Sequence, residues 1–248
     1  MRMIRKASAP APEFWTLDAG ESGSVEVKLV VNPRARRVAV RIDPVRREAV
    51  AIAPSSRQTK RAVEFANERA GWIATQLAAL PEAHPFTNGA VVPIRGFDTV
   101  LERISGRAPA KLEARPYRRL VIGAPDAETF AARVKRFLVN EAKSDFAARV
   151  AVHAETLHVK PRKMTVKDTS SRWGSCSVDG ALAFSWRLIF APADVLDYLA
   201  AHEVAHLKEL NHSPRFWAQV KKCIPDHTRG RGWLRRHGQS LHAYGADA

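Results

Sequence analysis

The sequence contains only two cysteines and no long apolar run. Cys176 and Cys223 are far apart and form no C-x-x-C pair, so a disulfide framework is excluded and a reducing cytoplasm is the expected compartment. No stretch of about 18 apolar residues occurs, so we expect neither a membrane-spanning helix nor a membrane partner. The first residues, MRMIRKASAPAPEF, are basic and rich in proline and alanine, but they lack the apolar centre of a secretory signal.

Acidic residues are scarce relative to basic ones. The chain has 40 Lys and Arg against 25 Asp and Glu, which gives a formal net charge of +15. This excess favours contact with nucleic acid or nucleotides through a basic surface, by a long-range attraction that salt should weaken. A basic surface without a specific partner explains the charge equally well.

The N-terminal half has the pattern of a β-rich fold. Residues 24–53 alternate apolar and polar side chains between turn signals such as Asn32-Pro33, which predicts a short antiparallel meander. Residues 55–80 begin with two serines and carry apolar side chains at helical spacing, which predicts one helix. Short strands are expected over residues 90–104 and 111–122, on either side of a turn region.

Composition changes near Pro125, and we place a domain boundary there. Residues 126–157 begin with the cap candidate Asp126 and carry apolar side chains at the spacing of a long amphipathic helix. A β region follows over residues 163–190, and Pro192 then starts another helix. The predicted divisions are a disordered leader over residues 1–23, a β-rich N-terminal part with one helix over residues 24–125, and a C-terminal domain over residues 126–248.

The segment AHEVAHLKELNHSPRFW, residues 201–217, places three histidines and a glutamate close together. His202 and His206 are four positions apart, so a helix would present both imidazoles on one face, within reach of one metal ion. Glu203 stands where H-E-x-x-H metalloenzymes keep a carboxylate beside the metal. His212 follows an expected helix end, from which it can fold back as a third ligand and leave one tetrahedral position of zinc for water. The alternative is a chance match, in which the histidines are half-buried and bonded to backbone carbonyls.

Other residues around this motif have simpler interpretations. Ser213 and Pro214 form a cap and first-turn pair for a following helix. The aromatic residues of this half are interpreted as core, because aromatics at strand and helix spacing usually pack. They are Trp173, Trp186, Phe216, Trp217 and Trp233. Gly174 indicates a bulge, a close backbone approach or an ordinary turn.

Four segments in this half also have a familiar order and spacing: SRWGSC (171–176), WRLIFAP (186–192), HEVAHLKELNHSPRFW (202–217) and IPDHTRGRGWLRRHG (224–238). Together they resemble the YgjP-like metallopeptidase domain family, zincin-type proteins related to the SprT-like and WLM metallopeptidases. The resemblance extends weakly into the N-terminal part. One departure is Ser185, because the family usually has asparagine before the tryptophan of WRL.

The resemblance implies an α+β fold, in which a zincin-like catalytic domain with an active-site helix and adjacent antiparallel strands follows the β-rich N-terminal part. It implies zinc as the cofactor and Glu203 as the general base. The implied zinc ligands are His202, His206 and His212. An edge strand of this fold is expected to hold an extended peptide by β-addition. The candidate substrate-binding residues are Arg172, Trp173 and Gly174.

Three functional hypotheses remain. The first is a zinc metallopeptidase in which Glu203 activates the water at the metal to cleave a protein or peptide substrate. A variant keeps the metal-dependent hydrolase but gives it a nucleoside triphosphate such as UTP, an activity proposed within the resembling family. The third is a nucleic-acid-binding module with a structural zinc, although such a site needs no base at Glu203. The hydrolases also need a donor to the oxyanion, for which His227, Arg172 and Tyr198 are candidates.

Overall fold

The computed structural model describes residues 13–246, and the chain forms two compact units that divide between Leu80 and Pro81. Residues 1–12 of the predicted leader lie outside the described residues. The remainder of that leader was expected to be disordered, and this is wrong, because Glu13–Asp18 form strand β1 and pair antiparallel with the next strand. Trp15 and Leu17 lie on one face of β1, and Leu17 enters the core of the first unit.

The first unit contains one mixed sheet in the order β1-β2-β4-β3. Its other strands are β2 Ser24–Val31, β3 Ala39–Asp43 and β4 Glu48–Ala53. Strands β2 and β4 are parallel, whereas the two outer pairs are antiparallel, so the predicted antiparallel meander is wrong. The reason lies in β4, whose consecutive apolar side chains Ala49, Val50 and Ala51 are all buried. A strand that is apolar on both faces suits a central position, so β3 takes the edge.

Two helices, α1 Thr59–Asn67 and α2 Ala70–Ala78, replace the single helix predicted for this region. The backbone leaves the helical region at Arg69, where φ is −117° and ψ is 14°. The interruption allows both helices to contribute to one core. The small or branched side chains involved include Ala62 and Ala66 of α1 and Ile73 of α2.

Within its described residues, the second unit contains two more sheets and four α-helices. Its first sheet has the order β5-β6-β8-β7, with β5 Val91–Ile94, β6 Phe97–Ile104, β7 Lys111–Glu113 and β8 Arg119–Gly123. Its second sheet has the order β10-β11-β9, with β9 Lys163–Lys167, β10 Gly174–Cys176 and β11 Ala181–Ser185. The helices are α3 Ala127–Thr156, α4 Ala193–Ala205, α5 Pro214–Cys223 and α6 Thr228–His237.

The long helix α3 joins the two sheets of this unit into one core. It begins at the predicted cap, where Asp126 accepts a hydrogen bond from the backbone N–H of Thr129 at 2.7 Å. Phe130 and Val134 of α3 lie in the same hydrophobic cluster as Leu101 of β6 and Ile122 of β8. The compact units therefore do not divide at Pro125, where the composition changes, because strands β5–β8 share their core with α3.

The α+β class expected from the sequence is confirmed. Strand β10 is antiparallel to β11, as expected for the strands beside the active-site helix, but β9 pairs parallel with β11. Strand β10 contacts helix α4. No helix within residues 13–246 is long and apolar enough to cross a membrane.

A buried arginine connects the chain after β9 with the C-terminal segment. Arg187 has no exposed surface, and its Nε donates a hydrogen bond to Asp168 Oδ1 at 2.8 Å. Its Nη1 donates to the carbonyl oxygens of His242 and Tyr244 at 3.2 and 2.6 Å. Burial alone would raise the pKa of Asp168, but the hydrogen bond and charge of Arg187 lower it below its usual value. One side chain thus holds together segments that are distant in sequence.

Replacing this arginine should destabilise the fold. We expect Arg187→Ala to lower the free energy of unfolding by about 3–5 kcal/mol, because it removes one partner of a buried ion pair. Urea denaturation followed by circular dichroism measures the difference. Arg162→Ala is the matched control: its ion pair with Asp179 is solvent-exposed, so the loss should stay below about 1 kcal/mol. Equal losses in the two variants would contradict the role of Arg187.

Candidate metal centre

Helix α4 carries two of the three histidines and the glutamate. It begins after Pro192, has Asp194 in its first turn and buries most of its side chains in the core of the second unit. His202 lies in its last turn, and His206 is the residue that caps its C-terminal end. Their spacing of four therefore falls on a helix, as predicted from the sequence.

The third histidine lies in the turn between α4 and α5. Helix α5 begins with Pro214 in its first turn, and the Ser213 side chain accepts a hydrogen bond from the backbone N–H of Phe216 at 3.4 Å, which confirms the predicted start of this helix. The turn brings His212 back toward α4. One ligand nitrogen from each of the three histidines lies within 4.8 Å of the other two, and the Nε2 atoms of His202 and His212 are 3.0 Å apart.

Burial favours the uncharged form of His202 and His206, which is the form that binds a metal ion. Burial is the main cause that lowers the pKa of His202, to about 3, and burial also lowers the pKa of His206. Nδ1 of His206 lies 3.0 Å from the carbonyl oxygen of Glu209, and a carbonyl can only accept, so Nδ1 carries the proton. The lone pair of that ring is then on Nε2. A hydrogen bond from the other ring nitrogen is the usual way to orient a metal-ligating histidine.

These three residues fit a zinc ion or a similar first-row metal. Tetrahedral zinc holds nitrogen ligands at about 2.0–2.1 Å, which separates them from one another by roughly 3.3 Å. The spacings between the histidines bracket that value, so small side-chain shifts suffice. Imidazole ligands also suit other divalent metals, so the donor set alone does not select zinc.

Glu203 is buried beside the histidines, with a carboxylate that is incompletely hydrogen-bonded. The residue is 4% exposed, and Oε2 has no hydrogen-bond partner among the described residues. Burial raises the pKa of Glu203 to about 8, while the nearby charge of Arg172 acts in the opposite direction. A buried carboxylate that lacks a full set of partners suits a position next to a cation.

The backbone of β10 passes directly over this carboxylate at Gly174. A Cβ atom at position 174 would lie 2.4 Å from Oε1 of Glu203, closer than any real contact of this kind. Of the alternatives considered for this glycine, the close backbone approach is therefore the one observed. Any larger residue would require the carboxylate or the strand to move.

Aromatic rings form one side of the histidine cluster. The ring of Phe216 is fully buried, and its centroid lies 4.4 Å from that of His206 and 4.8 Å from those of His202 and His212. The ring of Trp217 is farther away, 5.8 and 5.9 Å from His202 and His212. The sequence interpretation as core residues is correct for packing but missed this contact. The signal was available, because Phe216 follows His212 by four positions at the start of a helix.

The other sequence candidates are distributed around the cluster. The hydroxyl of Tyr198 is 3.5 Å from Nδ1 of His202, too far for a strong hydrogen bond. The ring of His227 stacks on Trp217 with centroids 5.2 Å apart. Arg172 is exposed and close enough to Glu203 to influence its pKa. All three remain candidates for a donor to substrate.

Trp173 is half-buried and packs against the C-terminal segment. Its ring stacks on His242 at a centroid distance of 4.6 Å and also faces Gly238. Its carbonyl oxygen accepts a hydrogen bond from the backbone N–H of Ser185 at 2.8 Å. Ser185 itself is fully buried, and its hydroxyl has no hydrogen-bond partner among the described residues.

Comparison with known proteins adds two similarities. The model of the family described as YgjP-like, metallopeptidase domain, matches residues 36–237. No curated protein matches the chain significantly. Among solved structures, the metallopeptidase zymogen of Pyrococcus abyssi abylysin is similar, with 20% sequence identity and a TM-score of 0.33; the match covers 37% of this chain and 90% of that one.

Metal binding should stabilise the protein through these histidines. We expect zinc added to the metal-free chain to bind in a 1:1 ratio and, at 100 times its dissociation constant, to stabilise the fold by about 2.7 kcal/mol. That corresponds to a rise in Tm of roughly 5–10 °C. Calorimetric titration and thermal melts measure the two quantities. His206→Ala should abolish both effects, and the control His237→Ala, on an exposed residue of α6, should retain them. Unchanged binding by His206→Ala would contradict the site.

Proposed function

The chain belongs to the YgjP-like metallopeptidase domain family, and on that premise we propose that it is a zinc-dependent peptidase in which Glu203 activates the attacking water. Membership supports a metal-dependent peptidase at the family level. The observation that carries the more specific proposal is the cluster of His202, His206 and His212, together with the buried carboxylate of Glu203, which is next to His202 on helix α4.

The proposed ligands are His202, His206 and His212. Held by them, zinc would polarise the scissile carbonyl group and lower the pKa of water toward about 7. The chain's own contribution is to keep the imidazoles of His202 and His206 neutral by burial and to orient His206 through its hydrogen bond to the Glu209 carbonyl. Among the described residues no fourth His, Cys, Asp or Glu joins this group, which is the arrangement of a catalytic rather than a structural site.

Glu203 is proposed to carry the proton through the reaction. Its free Oε2 accepts the proton of the attacking water, and the same carboxyl then donates it to the leaving amine nitrogen. A carboxylate whose pKa is raised by burial is a stronger base when ionised, and a nearby dication favours the ionised form. Tyr198, His227 and Arg172 are the candidates to stabilise negative charge on the carbonyl oxygen.

Strand β10 is proposed to hold the substrate. It lies at the end of its sheet, so one of its edges is not paired with another described strand. An extended peptide can add to such an edge through backbone hydrogen bonds. Gly174 then places the bound backbone close to Glu203, and Arg172 flanks it. The ring of Trp173 packs on His242, so we propose that Trp173 holds strand β10 in place and does not bind substrate.

Neither cysteine is proposed as a nucleophile. Cys176 and Cys223 are both free, and burial raises the pKa of each thiol to about 11. Such thiols are protonated near neutral pH and react slowly.

The cytoplasm stays the predicted compartment for this enzyme.

One observation favours a second candidate substrate, a nucleoside triphosphate. The guanidinium of Arg231 lies 4.7 Å from the ring centroid of Trp217, which itself adjoins the histidines. Its charge is among the minor causes that lower the pKa of His202. A cation so close to the cluster, without an ion-pair partner among the described residues, suits a phosphate group.

Replacement of the proposed base should separate chemistry from metal binding. We expect Glu203→Gln to retain about one zinc per chain and to lose at least 100-fold in turnover, because the amide cannot accept the proton. Elemental analysis and hydrolysis of casein and of UTP on the same preparations provide the measurements. Cleavage of casein by the wild type supports the peptidase, and hydrolysis of UTP alone supports the second candidate. Full activity in Glu203→Gln would refute the assigned role.

Gly174→Ala should impair turnover more than folding. The added methyl group must displace the Glu203 carboxylate or the strand, and a shift of about 1 Å at a reacting group can cost on the order of 100-fold in rate. Steady-state kinetics on casein, with zinc content and Tm measured in parallel, give the result. Gly71→Ala is the control, since nothing lies within 4 Å of a Cβ at that helical position. Equal activity of the two variants would show that the close approach is not needed.

A further inference from the structure

A groove on the first unit is independent of the metal centre. It has a volume of about 660 Å³ and lies between edge strand β3 and the two helices. Its apolar lining includes Val38, Val40 and Phe65, and the indole of Trp72 stands at its side with 48% of the residue exposed. An exposed tryptophan next to an apolar groove is a surface on which a flat ligand can stack.

The charged side chains that line this groove are all basic. Arg37 and Arg69 line it, and no aspartate or glutamate does. Arg34 and Arg36 lie in the same turn before β3, and both are exposed. The side chains of Arg34, Arg36 and Arg37 have no ion-pair partner among the described residues, so their charges are available to a ligand.

Phe65 and Arg69 form a second flat surface in the groove. The guanidinium of Arg69 lies 3.6 Å from the Phe65 ring centroid, and it is held by Glu68 at 3.1 Å and by the Phe65 carbonyl at 3.2 Å. A guanidinium fixed in this way presents a planar cation on which an aromatic ring can stack. Both Arg69 and Trp72 line the groove, so two stacking surfaces share it.

A second groove on the same unit lacks this combination. It has a volume of about 490 Å³, and its lining includes Trp15, which is 41% exposed. Two carboxylates, Glu13 and Glu64, line it against a single cation, Lys60. The two grooves are therefore similar in size and tryptophan exposure but opposite in charge.

We propose that the groove at Trp72 binds single-stranded nucleic acid, with bases stacked on Trp72 and Arg69 and phosphates held by Arg34, Arg36 and Arg37. Proteins that bind single strands combine a positively charged groove with aromatic side chains that accept any base. Acidic side chains would satisfy the arginines, but a carboxylate has no flat ring to stack on Trp72 and Arg69. This assignment goes beyond the proposed peptidase activity and does not depend on the metal.

The test is equilibrium binding of fluorescein-labelled 15-mers of dT and rU to the full-length protein, followed by fluorescence anisotropy. We expect Trp72→Ala to weaken binding about 10-fold, in line with the loss of one stacked base. Trp72→Phe should restore most of it. The double variant Arg36→Ala/Arg37→Ala should weaken binding at low salt and reduce the slope of log K against log salt by about 0.7 for each arginine removed. Trp15→Ala is the matched control and should bind like the wild type.

Several results would overturn the proposal. Equal effects of Trp15→Ala and Trp72→Ala would show that the groove is not the site. If polyglutamate displaces the oligonucleotide at equal charge concentration and Trp72→Ala binds normally, the groove recognises charge alone and an acidic peptide is the better partner. No binding by the wild type at 50 mM salt would exclude the assignment outright. Thermal melts of each variant verify folding, and Trp72→Phe and the double arginine variant still test the groove even if Trp72→Ala unfolds.

Discussion

The burial of Glu203 beside three imidazoles is the constraint on which the second unit depends. A carboxylate that is 4% exposed has lost most of its hydration, and its pKa rises to about 8 as a result. The same low-polarity surroundings lower the pKa of His202 to about 3. Burial therefore disfavours both the ionised form of Glu203 and the protonated form of His202. A bound dication relieves both effects, because it compensates the carboxylate and needs uncharged imidazoles.

Packing around α4 maintains that burial. Two glycines allow neighbouring elements to touch the helix: a Cβ at Gly174 would lie 2.4 Å from Oε1 of Glu203, and a Cβ at Gly230 would lie 2.5 Å from Cβ of Tyr198. Strand β10 and helix α6 thus enclose α4 at backbone distance. The strand is supported in turn, because Trp173 stacks on His242, whose carbonyl oxygen accepts a hydrogen bond from buried Arg187. The chemistry of one carboxylate therefore depends on contacts that extend to the C-terminal segment.

Local signals in the sequence predicted the candidate site better than the fold. His202 and His206 share a helix face, and Ser213 with Pro214 starts the next helix, because both features follow from helical spacing and capping over a few residues. The parallel pairing of β2 with β4 was missed, since strand order depends on which strand must be buried on both faces. The role of Arg187 was missed as well. Its partners Asp168 and Tyr244 are remote in sequence, and no local pattern announces a buried ion pair.

Net charge alone does not locate a binding surface, because many cations are already paired with carboxylates. Arg95 and Arg119 each contact two carboxylates, so their charges are already balanced and are not available to a partner. The arginines at 34–37 are different, because they are exposed and unpaired among the described residues. The chain is continuous from Leu80 to Pro81, so their groove stays tethered to the candidate metal centre. Such a tether raises the effective concentration of one site's ligand at the other. Under the two proposals together, nucleic-acid binding by the first unit contributes to substrate selection at the proposed peptidase site.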